Sequence, residues 1–252
     1  MKQIKRLCII PARGGSKRLQ GKNVKLLGGK PLIYHTIDTA LGLFDKVIVT
    51  SDSENILQVV QNGYGNYTQA NNTELEISKR PGELATDTSK VIDTVVYYQE
   101  KNKDYDQVWL FLPTCPLRTK KDVLDAQKLL VNNVDSVISI TEYDFPPSLG
   151  LLKGAEGNLI AYDQSDPWRT GNSRSQDHPV VHRPNGAIYG SWCSSFKYNK
   201  NFYKGKVLGS YMDRKHSVDI DTDIDFKLAE IIYKNSALTE PNNNAQGMAT
   251  YC

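Results

Sequence analysis

Between Pro11 and Asn23 the chain reads PARGGSKRLQGKN, with Gly14, Gly15 and Gly21 set among Arg13, Lys17, Arg18 and Lys22. Glycines let backbone amides approach an anion closely, and the cations offset its charge, so this spacing predicts a cradle for a nucleotide triphosphate. It is not a Walker loop: Gly15 and Gly21 enclose five residues, and Asn23 follows Lys22 where Ser or Thr is required. The pattern GxGxxG is absent as well. Taken alone, the segment also reads as a solvated basic loop whose glycines serve a turn.

A second group of chemically capable residues lies in SVDIDTDIDF, where Asp219 and Asp221 alternate with Val218 and Ile220. In a strand the two-residue side-chain period sets both carboxylates on one face and both aliphatics on the other. Such a pair can share magnesium, which takes one or two carboxylates together with substrate phosphates. A solvated edge or turn is the alternative for this segment. Asp223 and Asp225 precede a helix and are expected to cap its first amides.

Three further segments contribute candidates. In LFLPTCPLRT, Thr114 is placed to hydrogen-bond a substrate, and Cys115 reads as a small packed residue because no histidine is sequence-linked to it. RPGELATDT brings Arg80 and Asp87 to the end of a strand, where a guanidinium can donate to a base carbonyl or form a surface salt bridge. HRPNGAIYG carries Arg183, suited to a carboxylate, then an expected turn at Pro184, Asn185 and Gly186, then Tyr189 on a strand. His182 reads as context.

The elements that must hold these residues follow a βαβ rhythm from residue 6 to about 140. Strands are expected at Leu7 to Pro11, Lys46 to Thr50, Leu75 to Ser78, Gln107 to Leu112 and Asp135 to Ile140, several apolar on consecutive residues as doubly covered strands are. Helices are expected at Pro31 to Leu41, Ser53 to Gln61, Thr88 to Glu100 and Thr119 to Val131, the first opening on proline and the others near Ser or Thr caps. A mostly parallel sheet results, with chemistry in the loops after Ile10, Thr50 and Leu112. From 141 to 186 the rhythm breaks at Pro146, Pro147, Pro167 and Pro179, and a basic-leaning run spans Trp168 to His182. The core, 1–140 and 187–234, is expected to resume with strands at Ala187 to Trp192 and Ser217 to Ile220 and a helix near Asp223 to Tyr233. A polar tail, 235–252, is expected to be frayed.

A chain of 252 residues with 39% hydrophobic and 23% charged residues fits one main globular domain with an excursion. Its 31 basic and 28 acidic residues nearly balance, so no nucleic-acid surface is expected. The start, MKQIKRLCIIPARGG, has too short an apolar run for a signal peptide, and no stretch approaches membrane-spanning length. Cys8, Cys115, Cys193 and Cys252 are far apart and form no zinc pattern with the four histidines, which points to a reduced, cytoplasmic setting. The triplets at Asn66 and Asn71 match the glycosylation pattern but are expected to be loop composition.

In one order, PARGGSKRLQGKN, RPGELATDT, PTCPLRT, RPNGAIY and SVDIDTDIDF resemble the acylneuraminate cytidylyltransferase family over about residues 5 to 234. The resemblance implies an α/β, Rossmann-like nucleotidyltransferase fold, magnesium dependence, and a homodimer built through the middle excursion. It implies transfer of CMP from CTP to the anomeric hydroxyl of a sialic-acid-like, nonulosonic or other 2-keto-3-deoxy sugar acid, with release of pyrophosphate. On the nucleotide side it implies Ala12, Arg13, Gly14, Ser16, Lys17, Lys22, Asn23 and Thr88, with Arg80 toward the base. On the sugar side it implies Leu112, Thr114, Arg174, Arg183, Asn185 and Tyr189, closed by the partner subunit. Asp219 and Asp221 would hold magnesium, Lys22 and Arg13 would stabilise the triphosphate, and Asp219 or a water beside the ion would act as base.

The chain departs from the family on the sugar side. Leu112 stands where the sialic-acid enzymes usually have Gln, Cys115 replaces Ser, and Ser175, beside Arg174, stands where they often have Arg. Two other classes share some of these features: another nucleotidyltransferase or nucleotide-sugar glycosyltransferase, and a catalytically silent nucleotide-binding protein.

Overall fold

The structure is a computed structural model that describes residues 3–16, 18–67, 72–86, 88–163, 171 and 174–239. Its first part alternates strand and helix: β1 (Arg6–Ala12), a small hairpin of β2 (Leu26–Leu27) and β3 (Lys30–Pro31), α1 (Leu32–Ala40), β4 (Lys46–Ser51), α2 (Glu54–Tyr64), β5 (Glu74–Lys79), α3 (Val91–Lys101), β6 (Gln107–Phe111), α4 (Lys120–Leu129) and β7 (Ser136–Glu142). A second hairpin, β8 (Leu151–Lys153) and β9 (Leu159–Ala161), precedes β10 (His182–Trp192), α5 (Cys193–Asn199), β11 (Val207–Tyr211) and α6 (Asp223–Thr239).

Seven strands form one sheet in the order β11-β7-β10-β6-β1-β4-β5. Six run the same way; β10 is antiparallel to both β6 and β7. This is the expected mostly parallel α/β sheet. Successive residues of one strand supply opposite faces. Cys8, Ile10, Val47 and Val49 pack with Ile33, Ile37, Val123 and Ala126 of α1 and α4. Leu7, Ile9, Ile48 and Val108 pack on the other side with Val95 and Tyr98 of α3 and Phe196 of α5. Each fully buried aliphatic contributes about 1.5–3 kcal/mol, which is why β1 and β4 are apolar at every central position.

The expected caps hold at two helices. Ser53 accepts from Ile56 at 3.5 Å, and Thr119 and Asp122 bond each other's amides at 3.2 and 2.8 Å. At α3 the start lies later than Thr88, at Val91, where the Asp93 carboxylate accepts from the Lys90 amide instead.

Two expectations need correction. Pro184, Asn185 and Gly186 do not form a turn: they lie inside β10, whose pairing with β7 shifts register between Pro184 and Tyr189, and Gly186 supplies the positive φ (81°) that the bulge requires. Ser217 to Ile220 is not a strand. It runs outside the sheet, tied by the Ile220 amide to the Thr114 carbonyl at 2.8 Å, while the place at the sheet edge goes to β11.

The break expected over 141–186 appears as the chain between Glu142 and His182; residues 164–170, 172 and 173 lie outside the described residues. The last helix runs to Thr239, past the expected start of the tail, and the Ser236 hydroxyl donates back to the Ile232 carbonyl at 3.0 Å. Among the described residues no helix is long and apolar enough to cross a membrane.

Candidate active site

The phosphate loop leaves the carboxyl end of β1, and its shape follows from close contacts with the loop after β4. The Gly14 amide donates to the Asp52 carboxylate at 3.0 Å, and a Cβ on Gly14 would lie 2.8 Å from that of Ser53. Glycine is therefore required at 14 by close approach. Gly21, at φ 62°, turns the chain into a 3-10 turn over Lys22–Val24 that buries Lys22 and Asn23. Asn23 donates to the Arg13 carbonyl at 3.0 Å and so fixes the loop from below.

The opposite wall is the 217–221 segment. Ile220 is fully buried with Leu27, Leu32, Phe226 and Ala229, which turns its neighbours Asp219 and Asp221 the other way. The alternation read from the sequence thus survives without a ladder. Asp225 fixes the segment's end, accepting from the amides of Asp221 and Thr222 at 3.1 and 2.7 Å, the capping role expected of it. Asp223 instead pairs with Lys25 and Lys227 at 3.2 and 2.8 Å.

Lys22 joins the two walls. Its ammonium donates to the Ile220 carbonyl and lies 3.2 Å from Asp221, whose other oxygen is 2.9 Å from Arg18. Asp219 faces Thr114 and Cys115. Loss of water around its carboxyl raises its proton affinity, and the nearby charge of Asp221 adds to this. Two hard carboxylates in such surroundings suit magnesium, which completes its shell with phosphates and water. Among the described residues no cluster of three or more His, Cys, Asp or Glu side chains is arranged for a metal.

Between the walls lies a cavity of about 520 Å³, lined among others by Arg13, Ser16, Lys22, Asn23, Arg80, Leu112, Thr114 and Asp221. Arg80 is buried, donating to the Thr50 carbonyl at 2.9 Å, and its Nε has no hydrogen-bond partner among the described residues. Burial works against its charge, and the Asp52 carboxylate offsets part of that.

The remaining expected residues are distributed differently. Ala12 is buried in β1, and Gly14 faces Asp52. Lys17 and Asp87 lie outside the described residues. Thr88 is exposed beside Thr86, whereas its neighbours Ser89 and Lys90 line the cavity.

On the sugar side, Asn185 is corrected to a brace. It is buried, accepting from the Ser139 hydroxyl and the Ala187 amide at 2.5 and 3.1 Å and donating to Ser217 at 2.9 Å, so its amide is fully used. Tyr189 packs on Phe202 near Asp219, and burial, with Tyr203 bonded to it, keeps its hydroxyl protonated. Arg183, half-buried, sits at the carboxyl edge of the sheet opposite Thr141, and exposed Arg174 lies 3.8 Å from Asp177; neither lines this cavity.

Two residues were not singled out from the sequence. Asp52 follows Thr50, at a strand end where chemistry was expected but no residue was named. Arg118, fully enclosed, donates to the Ala187 carbonyl at 2.6 Å and stacks on Phe111 at 4.4 Å, holding the Thr114 loop against β10. Burial pushes its guanidinium down to about 10. Cys115 is buried, and its thiol is pushed far up by burial, so it is a packed residue as expected.

This sheet, with its glycine-rich basic loop after the first strand, is a nucleotidyltransferase fold. A CMP:2-keto-3-deoxy-manno-octonic acid synthetase solved with CTP superposes with a TM-score of 0.62 over 92% of this chain and 99% of that one, at 15% identity. The chain belongs to the cytidylyltransferase family, whose model matches residues 7–112. It is 35% identical over 234 residues to a CMP-N,N'-diacetyllegionaminic acid synthase of Legionella pneumophila, covering 89% of this chain and 94% of the relative. A pseudaminic acid cytidylyltransferase of Campylobacter jejuni is 31% identical over 92% of this chain and 97% of its own length. An N-acylneuraminate cytidylyltransferase of Streptococcus agalactiae is 33% identical over 88% of this chain, which spans about half (52%) of that relative.

Proposed function

We propose that the chain transfers CMP from CTP to the anomeric hydroxyl of a nonulosonic or related 2-keto-3-deoxy sugar acid and releases pyrophosphate. The observation that carries this is the cavity with the glycine-rich basic loop on one wall and Asp221 and Thr114 on the other. The acceptor class rests on the relatives named for legionaminic, pseudaminic and N-acylneuraminic acids.

Arg13, Ser16 and Asn23 hold the triphosphate and ribose, and Arg80, which lines the same cavity, reads the base. Lys22, fixed by the Ile220 carbonyl, presents its ammonium to the reacting phosphates without having to reorganise. Asp219, or a water beside the ion, would take the proton of the attacking hydroxyl. Magnesium bound by Asp219 and Asp221 would supply charge neutralisation at the phosphates. Holding the attacking and leaving oxygens in line does the rest.

The test is pyrophosphate release from CTP, UTP, ATP and GTP against a panel of sugar acids. Release is expected with CTP and at least one nonulosonic acid. Release with UTP alone, or with no acceptor at all, would sink the reading.

The working unit of this reading is a homodimer. Leu152, Leu159, Ile160 and Tyr162 of the β8–β9 hairpin are 50–67% exposed, and an isolated two-stranded hairpin of such residues needs cover. Sedimentation is expected to show a dimer that L159K/I160K converts to monomer; a monomeric wild type would exclude it.

A further inference from the structure

Both oxygens of Asp221 are engaged by cations of the phosphate loop, but the two cations are held very differently. The Lys22 side chain is only 10% exposed and is anchored by the Ile220 carbonyl, so it has no room to leave. The Arg18 side chain is 69% exposed and lines the same cavity as Arg13 and Ser16. It can therefore turn from Asp221 to another anion at little cost, since exposed ion pairs are weakly held. A triphosphate in the cavity is such an anion, and a guanidinium is well shaped for phosphate oxygens.

We propose that Arg18 is an exchangeable counter-ion of Asp221 that couples nucleotide and divalent-cation binding. Nucleotide phosphates draw Arg18 away, and the carboxylate oxygen it leaves becomes available to the cation. A divalent cation and Arg18 compete for the same oxygen of Asp221, so each ligand improves the site for the other, and by linkage the coupling is reciprocal. The inference rests on Asp221 being a cation ligand.

The two ligands can be measured apart, without turnover. Manganese alone, titrated by calorimetry or by the electron paramagnetic resonance of the free ion, is expected to bind Arg18→Ala roughly two- to fivefold more tightly than wild type, the scale of one exposed ion pair. CTP in the presence of a chelator is expected to bind the same variant more weakly, and Arg18→Lys should fall between the two on both readouts. Asp221→Asn serves as the control for the metal reading. If it binds manganese as well as wild type does, the assignment of Asp221 fails, and the exchange fails with it. If Asp221→Asn loses manganese while Arg18→Ala binds it no more tightly than wild type, only the exchange is overturned. Arg18 is then a plain phosphate contact or a surface residue.

Discussion

Replacing Lys22 by alanine is expected to lower turnover roughly a hundred- to a thousandfold, the scale of removing one preorganised charge-stabilising donor from an enzyme site. Lys22 is only 8% exposed and spans the site, its ammonium donating to the Ile220 carbonyl on the wall that carries the aspartates. Alanine removes the cation, leaves that carbonyl unpaired and costs about 1–3 kcal/mol of stability, which a domain of this size can lose and stay folded. Pyrophosphate release at saturating CTP, measured beside a thermal melt, separates the two effects. A folded variant with wild-type kcat would return the loop to a basic turn with no part in the chemistry.

Asp221→Ala should abolish divalent-cation-dependent pyrophosphate release. The loss of several kcal/mol of charge stabilisation corresponds to at least about a hundredfold in rate. The fold should tolerate it, because the Asp221 backbone is held independently: its amide donates to Asp225, and its neighbour Ile220 is buried. A magnesium titration of activity beside a circular dichroism spectrum is the measurement. A folded variant whose rate still rises with magnesium as in wild type would remove Asp221 from the metal assignment.

Much of this site was legible because its signals are local. The loop after β1 is a continuous run of glycines and cations, and the structure puts Arg13, Ser16, Lys22 and Asn23 on one cavity. Thr114 and Leu112 were legible for the same reason: they end a strand in a parallel sheet. Asn185 was placed in a turn because RPNG looks like one, whereas it lies inside β10. Only the neighbouring Ser139 and Ser217, distant in sequence, show that its amide is consumed by packing. Asp52 was missed because one carboxylate after a strand carries no pattern; its meaning comes from the Gly14 amide it meets.

The amino-acid sequence by itself determined the alternation of β1, β4, β5, β6 and β7 with α1 to α4, since apolar periodicity and caps act within a few residues. It also determined the alternation of Asp219 and Asp221 with Val218 and Ile220. The tertiary structure alone decided that β10 inserts antiparallel between β6 and β7, that β11 takes the sheet edge, and that residues 217–221 stay outside the ladder beside Lys22. These outcomes depend on which backbone edges and buried faces remain free once the other elements have packed. That competition is non-local, and no window of sequence contains it.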